Sequence, residues 1–213
     1  MTNSQVELWI NNAMLFWQFL AEMGKTELDN EQKERIELWV KQAQSGDWSA
    51  FAKLYEYFVD KVYKYIYFKS SQEEAMDLTE TVFLKVWENL KNYKPKTGSS
   101  FGSWVFRIAH NLLVDHYRLR KETSELKEIH ADQRDEASPV FLAEQSLARR
   151  GLHQAMSKLK EIYREVLTLS YLNGLTNAEV AEIMKKSEGG LRVLKFRALQ
   201  ELKKILEQMG LKY

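Results

Sequence analysis

Two sets of residues in this chain are of types and spacings that do chemistry on nucleic acid. Arg192, Val193, Phe196 and Arg197 share one side of a helix, so two guanidiniums and two apolar groups stand together. A guanidinium forks onto guanine or phosphate, and apolar groups meet the thymine methyl, so the mixture suits the major groove of duplex DNA. Trp104, Arg107, Asn111, Asp115 and Arg118 also gather on one side when the chain advances by about 100° per residue. An indole, an amide and two guanidiniums in line offer stacking, hydrogen bonding and charge, which unstacked or flipped bases require, with a capping or packing role for Trp104 as the alternative. No nucleophile and base set, carboxylate pair or phosphate loop is found, so no catalytic residue is expected and the chain does not read as an enzyme. His110, His116, His130 and His153 have no metal-ligand spacing, so neither metal nor cofactor is expected.

These sets need particular elements to position them. Asn173-Gly174 is expected to end a helix whose inward positions run from Leu152 through Met156, Leu159, Ile162, Tyr163, Val166 and Leu167 to Leu169. Thr176-Asn177-Ala178-Glu179 then reads as a capping box opening a short helix with Val180, Ala181, Ile183 and Met184 inward. A turn at Lys185-Lys186 follows; if Lys185 must be left-handed there, it is strained by roughly 1 kcal/mol. Ser187 caps the next helix, with Leu191, Leu194, Ala198, Leu202 and Ile205 inward, so Arg192 to Arg197 sit on the second helix of a helix-turn-helix. Upstream, Phe51, Leu54, Tyr55, Phe58, Val62, Tyr65 and Ile66 repeat at helical spacing, as do Leu78, Val82, Phe83, Val86, Trp87 and Leu90. The Pro95, Gly98, Ser99 and Ser100 turn leads into a helix from about Phe101 to Arg120 with Val105, Ile108 and Leu112 on one face. Three such helices make one bundle.

Only two prolines and nine glycines in 213 residues, with 45% hydrophobic residues, favour an all-α chain of two helical domains. The absence of cysteine excludes disulfides and thiolate metal sites and fits a reducing cytoplasm. The net charge of +1 hides segregation. Lys91, Lys94, Lys96, Arg107, Arg118, Arg120 and Lys121 face only Asp115 in their segment. Lys185, Lys186, Arg192, Lys195, Arg197, Lys203 and Lys204 face only Glu188 and Glu201. Clustered cations of this kind bind a phosphate backbone through counterion release. Between them Glu122 to Gln145 is acidic, weakly periodic and holds Pro139, as expected of a linker. The aromatic run from Val6 to Leu20 is broken by Asn11, Asn12 and Gln18 and is too short for a membrane span. No positive region precedes Lys25, so no secretory signal is expected; the run reads as an amphipathic helix packed on the next domain, with partner or membrane-surface docking as the alternative.

From the residues alone, a DNA-binding regulator using only the carboxy-terminal element, or a helical adaptor that binds proteins, stays open beside a factor that binds both duplex and unstacked DNA. Three stretches together resemble the sigma factors of bacterial RNA polymerase, in particular the small two-domain extracytoplasmic-function (ECF) group. They are Ala75 to Trp87, Phe101 to Asn111, and Thr176 to Leu199. The resemblance implies an alternative sigma factor with four parts: an amino-terminal extension (1–35), a region 2-like domain (36–121), a linker (122–147) and a region 4-like domain (148–210). It implies core-polymerase binding by Asp77, Glu80, Phe83, Leu84 and Trp87, and capture of the melted minus-10 element by Trp104, Asn111, Arg118 and Arg120. The duplex minus-35 element falls to Arg192, Val193, Phe196 and Arg197. The implied partners are core RNA polymerase, promoter DNA and an anti-sigma factor, and the implied location is the cytoplasm.

Overall fold

The structure is a computed structural model and describes residues 30–96, 98–124, 147–172 and 175–210. The aromatic amino-terminal run, most of the acidic linker and the Asn173-Gly174 pair lie outside the described residues. Every regular element among the described residues is helical, and the helices divide into two compact units.

The first unit holds α1 (Asn30–Gln44), α2 (Trp48–Tyr67), α3 (Gln72–Leu90) and α4 (Phe101–Ser124). Ile36, Val40 and Ala43 recur at helical spacing and bury one face of α1 against α2. The chain reverses at Gly46, whose φ of 99° lies in the left-handed region that favours glycine. Asp47 then caps α2: its carboxylate accepts from the Ser49 and Ala50 amides at 2.8 and 3.3 Å. The Ser49 hydroxyl and these amides hold that carboxyl below its ordinary pKa. Phe51, Leu54, Phe58, Val62, Tyr65 and Ile66 form the buried stripe of α2. The start of α3 is a capping box in which Ser71 N donates to Glu74 Oε2 at 3.0 Å and Glu74 N to Ser71 Oγ at 3.3 Å. At the other end of α3 the Gln44 amide donates to the carbonyls of Leu90 and Tyr93, at 2.9 and 2.7 Å, tying α1 to the loop before α4.

The second unit holds α5 (Leu147–Lys158), α6 (Glu161–Leu167), a π-helical turn (Thr168–Leu172), α7 (Asn177–Ile183) and α8 (Glu188–Gln208). The single periodic run expected before Asn173 is therefore interrupted near Leu159 and Lys160. Neither proline nor glycine stands there; the buried Arg164 guanidinium donates to the Leu159 carbonyl at 3.2 Å, satisfying a group freed by the break. The core is aliphatic, with Val166, Leu169, Val180, Ile183, Leu191, Leu202 and Leu206 nearly or wholly buried.

Candidate nucleic-acid and partner interfaces

The loop before α4 and the first turns of that helix build a nest of rings. Trp104 packs between Tyr93 and Phe101, with ring centroids 4.8 and 5.4 Å away, and Phe101 reaches Phe58 on α2 at 5.7 Å. Gly102 eases that approach, since a Cβ there would stand a tight 3.3 Å from Phe58 Cε1. The loop serines fix the start of α4: the Ser103 amide donates to Ser100 Oγ at 3.2 Å, and the Ser99 and Ser103 hydroxyls lie 2.7 Å apart. The indole of Trp104 is half-buried, so one part is gripped while the rest faces outward. Asn111 and Arg118 are exposed further along the same side; Arg120 lies on α4, its side chain outside the described residues.

The inward face of α4 differs from the expected one. Val105 is buried, but Ile108 and Leu112 are only half-buried, and the stripe is completed by Phe106, Ala109 and Leu113. Phe106 decides the rotation: its ring buries far more apolar area than an isoleucine edge and meets Tyr65 edge-on at 5.7 Å.

A second surface is an apolar groove of about 770 Å³ between α2 and α3, floored by Phe51 and Phe83 and edged by Trp48, Tyr55, Leu84 and Trp87. Trp48 and Leu84 are 63% and 59% exposed, which marks the groove as unpartnered apolar surface. Asp77 and Glu80 stand exposed at its rim. Phe83 is buried at 6% exposure beneath Tyr55, 4.7 Å between centroids, so it supports the groove more than it faces a partner. Sequence reasoning found the α3 side and missed Trp48, Phe51 and Tyr55. Their spacing of three and four places on α2 was the available signal. Trp87 meets Trp48 and Phe51 edge-on, each at 4.7 Å, so it belongs to this aromatic wall.

The third surface lies on α8. Thr176 N donates to Glu179 Oε2 at 2.8 Å and Glu179 N to Thr176 Oγ1 at 3.3 Å, so the expected capping box starts α7. Lys185 takes a φ of 53°, so the turn is left-handed at a residue that carries a Cβ. Ser187 Oγ accepts from Gly190 N at 3.1 Å and opens α8. Leu191, Ala198, Leu202 and Ile205 point inward as expected, Leu194 is half-buried, and Leu206 joins them. Outward stand Arg192, Val193, Phe196 and Arg197, with Val193 50% and Phe196 62% exposed. Lys195, which the periodicity did not single out, donates to Asn177 Oδ1 at 2.8 Å and sits 5.5 Å from the Tyr171 ring. It braces α8 against the start of α7, and burial, then the Arg192 charge, pulls its pKa down.

Two helical units, the first with a half-exposed ring nest and the second with a helix-turn-helix whose second helix exposes Val193 and Phe196, match known patterns in that order. Residues 54–123 match sigma-70 region 2 and residues 149–202 match sigma-70 region 4. The pair defines a sigma factor of two domains. The ECF RNA polymerase sigma factor BldN of Streptomyces coelicolor is 34% identical over 184 residues, spanning 84% of this chain and 68% of that protein. The ECF sigma factor SigW of Bacillus subtilis is 27% identical, spanning 80% and 96%. CnrH, solved in complex with the cytosolic domain of CnrY, shares the fold with a TM-score of 0.60 at 22% identity, over 82% of this chain and 98% of that one. The sigma factor RpoE of Bartonella quintana, solved with the anti-sigma factor NepR, gives 0.60 at 20% identity, over 74% and 96%. The chain belongs to the ECF group of the sigma-70 family, and so is an alternative sigma factor that directs RNA polymerase to promoters and initiates DNA-templated transcription.

Proposed function

We propose that three surfaces divide this work. The groove between α2 and α3, with Asp77, Glu80, Leu84 and Trp87, holds core polymerase; Trp104, Asn111, Arg118 and Arg120 capture melted minus-10 DNA; Arg192, Val193, Phe196 and Arg197 read the duplex minus-35 element. In this reading residues 36–121 and 148–210 are the two working domains, joined by 122–147 and preceded by the extension 1–35. The observation that carries it is the Trp104 nest. Unstacking a base costs a few kcal/mol, and a ring already held by Tyr93 and Phe101 recovers that cost without reorganising. Exposed apolar groups between exposed arginines support the duplex role of α8, since thymine methyls and phosphates need both.

The chain is not itself an enzyme in this account; the polymerase supplies the chemistry. Its place of work is the cytoplasm, and among the described residues no helix is long and apolar enough to cross a membrane. An anti-sigma protein that covers one of these surfaces completes the proposal, because RpoE was solved with the anti-sigma factor NepR and CnrH with the cytosolic domain of CnrY. The test is assembly with core polymerase. Leu84→Glu, at an exposed position, is expected to abolish co-elution with core while leaving duplex binding by the free chain intact. Undiminished co-elution would remove the groove from the polymerase interface.

A further inference from the structure

On α2, one helical turn from the ring nest, Lys61 is placed at odds with ordinary charge economy. Its ammonium stands 3.5 Å over the Tyr57 ring and 5.8 Å from the Phe58 ring, with no ion pair or hydrogen bond of its side chain among the described residues. Among the described residues the one charge that shifts its proton affinity is another cation, Lys64. Burial first, and Lys64 second, bring its pKa down to about 8. A solvated lysine lays its stem on apolar surface and keeps its head in water; here the head itself loses water and gains no carboxylate. Tyr57 is likewise half-buried. The Tyr57 ring is the cation's one close partner among the described residues, and that leaves room for an anion from outside the chain to complete it.

Continuity points to which anion. Tyr57 meets Phe58 at 4.8 Å, the buried Phe58 meets the buried Phe101 at 5.7 Å, and Phe101 meets Trp104 at 5.4 Å, so Lys61 and the proposed minus-10 site flank one cluster of rings. We infer that Lys61 and Tyr57 form a further contact for the melted promoter strand, Lys61 holding a backbone phosphate and Tyr57 stacking or supporting a base a few nucleotides from the one at Trp104. This rests on the reading of Trp104 as a single-strand site. An ammonium and an adjacent ring are the two groups that bind single strands without regard to sequence, so the contact adds affinity and leaves the recognised bases unchanged.

The test uses the full chain assembled with core polymerase and a fluorescent single-stranded oligonucleotide carrying the minus-10 sequence, with affinity measured across a salt series. Lys61→Gln is expected to weaken binding about fivefold and make the slope of log affinity against log salt shallower by about 0.7, the loss of one phosphate contact; Lys61→Arg restores both. Tyr57→Ala is expected to weaken binding severalfold with the slope unchanged. Unchanged affinity and slope in Lys61→Gln, with core binding intact, overturn the inference. Loss of core binding by Lys61→Gln instead assigns the cation to an acidic polymerase surface and overturns it equally. If the unmodified holoenzyme fails to bind the strand at all, the Trp104 reading fails first, and the inference falls with it.

Discussion

In the first unit the candidate DNA surface is a set of rings standing on other rings, whereas in the second it is one helix raised on an aliphatic core. Trp104 has Tyr93, Phe101 and, behind them, Phe58 as support. Phe196 has no ring contact among the described residues, and its helix is positioned by Leu191, Ala198 and Leu202 beneath it and by the Lys195 bond to Asn177. Under the proposed division of labour the difference follows from the targets. A melted base must be met by a rigid, preformed stacking surface, because the cost of unstacking is recovered only if the protein does not reorganise. An intact groove accepts a helix whose outward side chains are free to adjust, so only its axis must be fixed.

Substitutions that separate the two surfaces have the largest effects. Arg192→Ala with Arg197→Ala is expected to lower affinity for a minus-35 duplex by about a hundredfold, leaving single-strand binding unchanged, as a pair of fluorescence titrations would show. Trp104→Ala is expected to do the reverse, costing about tenfold or more on the minus-10 strand alone. If either variant weakened both ligands equally, the two surfaces would not be independent.

Smaller effects probe how each surface is held. The same capping device opens α3, of 19 residues, and α7, of 7. Thr176→Ala is expected to cost about 1–2 kcal/mol, and Ser71→Ala about 1 kcal/mol or less, because the short helix has few other bonds to hold its first turn. Thermal melts monitored separately for each unit would rank them. Lys61 gives a pH signature confined to the first unit. Unfolded, it keeps its proton to about 10.5; folded, it releases it near 8. Between those values the unfolded chain binds more protons, so stability rises with pH through that window, while below pH 8 the whole cost of the desolvated charge is present. Lys61→Met is therefore expected to be modestly more stable than the parent at pH 7, with the gain shrinking toward pH 10; a loss at pH 7 would contradict the burial of the charge.

The helix-turn-helix was legible because each of its signals is local. Thr176 and Glu179 bind each other across one turn, Lys185 must reverse the chain between two apolar patterns, and Val193 and Phe196 fall off the inward stripe. What was not legible depends on distant partners. The rotation of α4 toward Phe106 is set by Tyr65, 41 positions earlier by their numbers. The α2 side of the groove needs α3 packed beside it, and the Lys195 brace needs Asn177 brought near by the turn. Periodicity gives the face of a helix only when the large residues on it are weighed with their neighbours.

The division of labour is tested most directly by footprinting promoter complexes of the full holoenzyme, reading upstream protection and thymine reactivity in the melted region together. The account predicts that Trp104→Ala keeps protection at the minus-35 element and loses the reactive melted thymines, while Arg192→Ala with Arg197→Ala loses the upstream protection. A Trp104→Ala holoenzyme that melts the promoter as fully as the parent would contradict it.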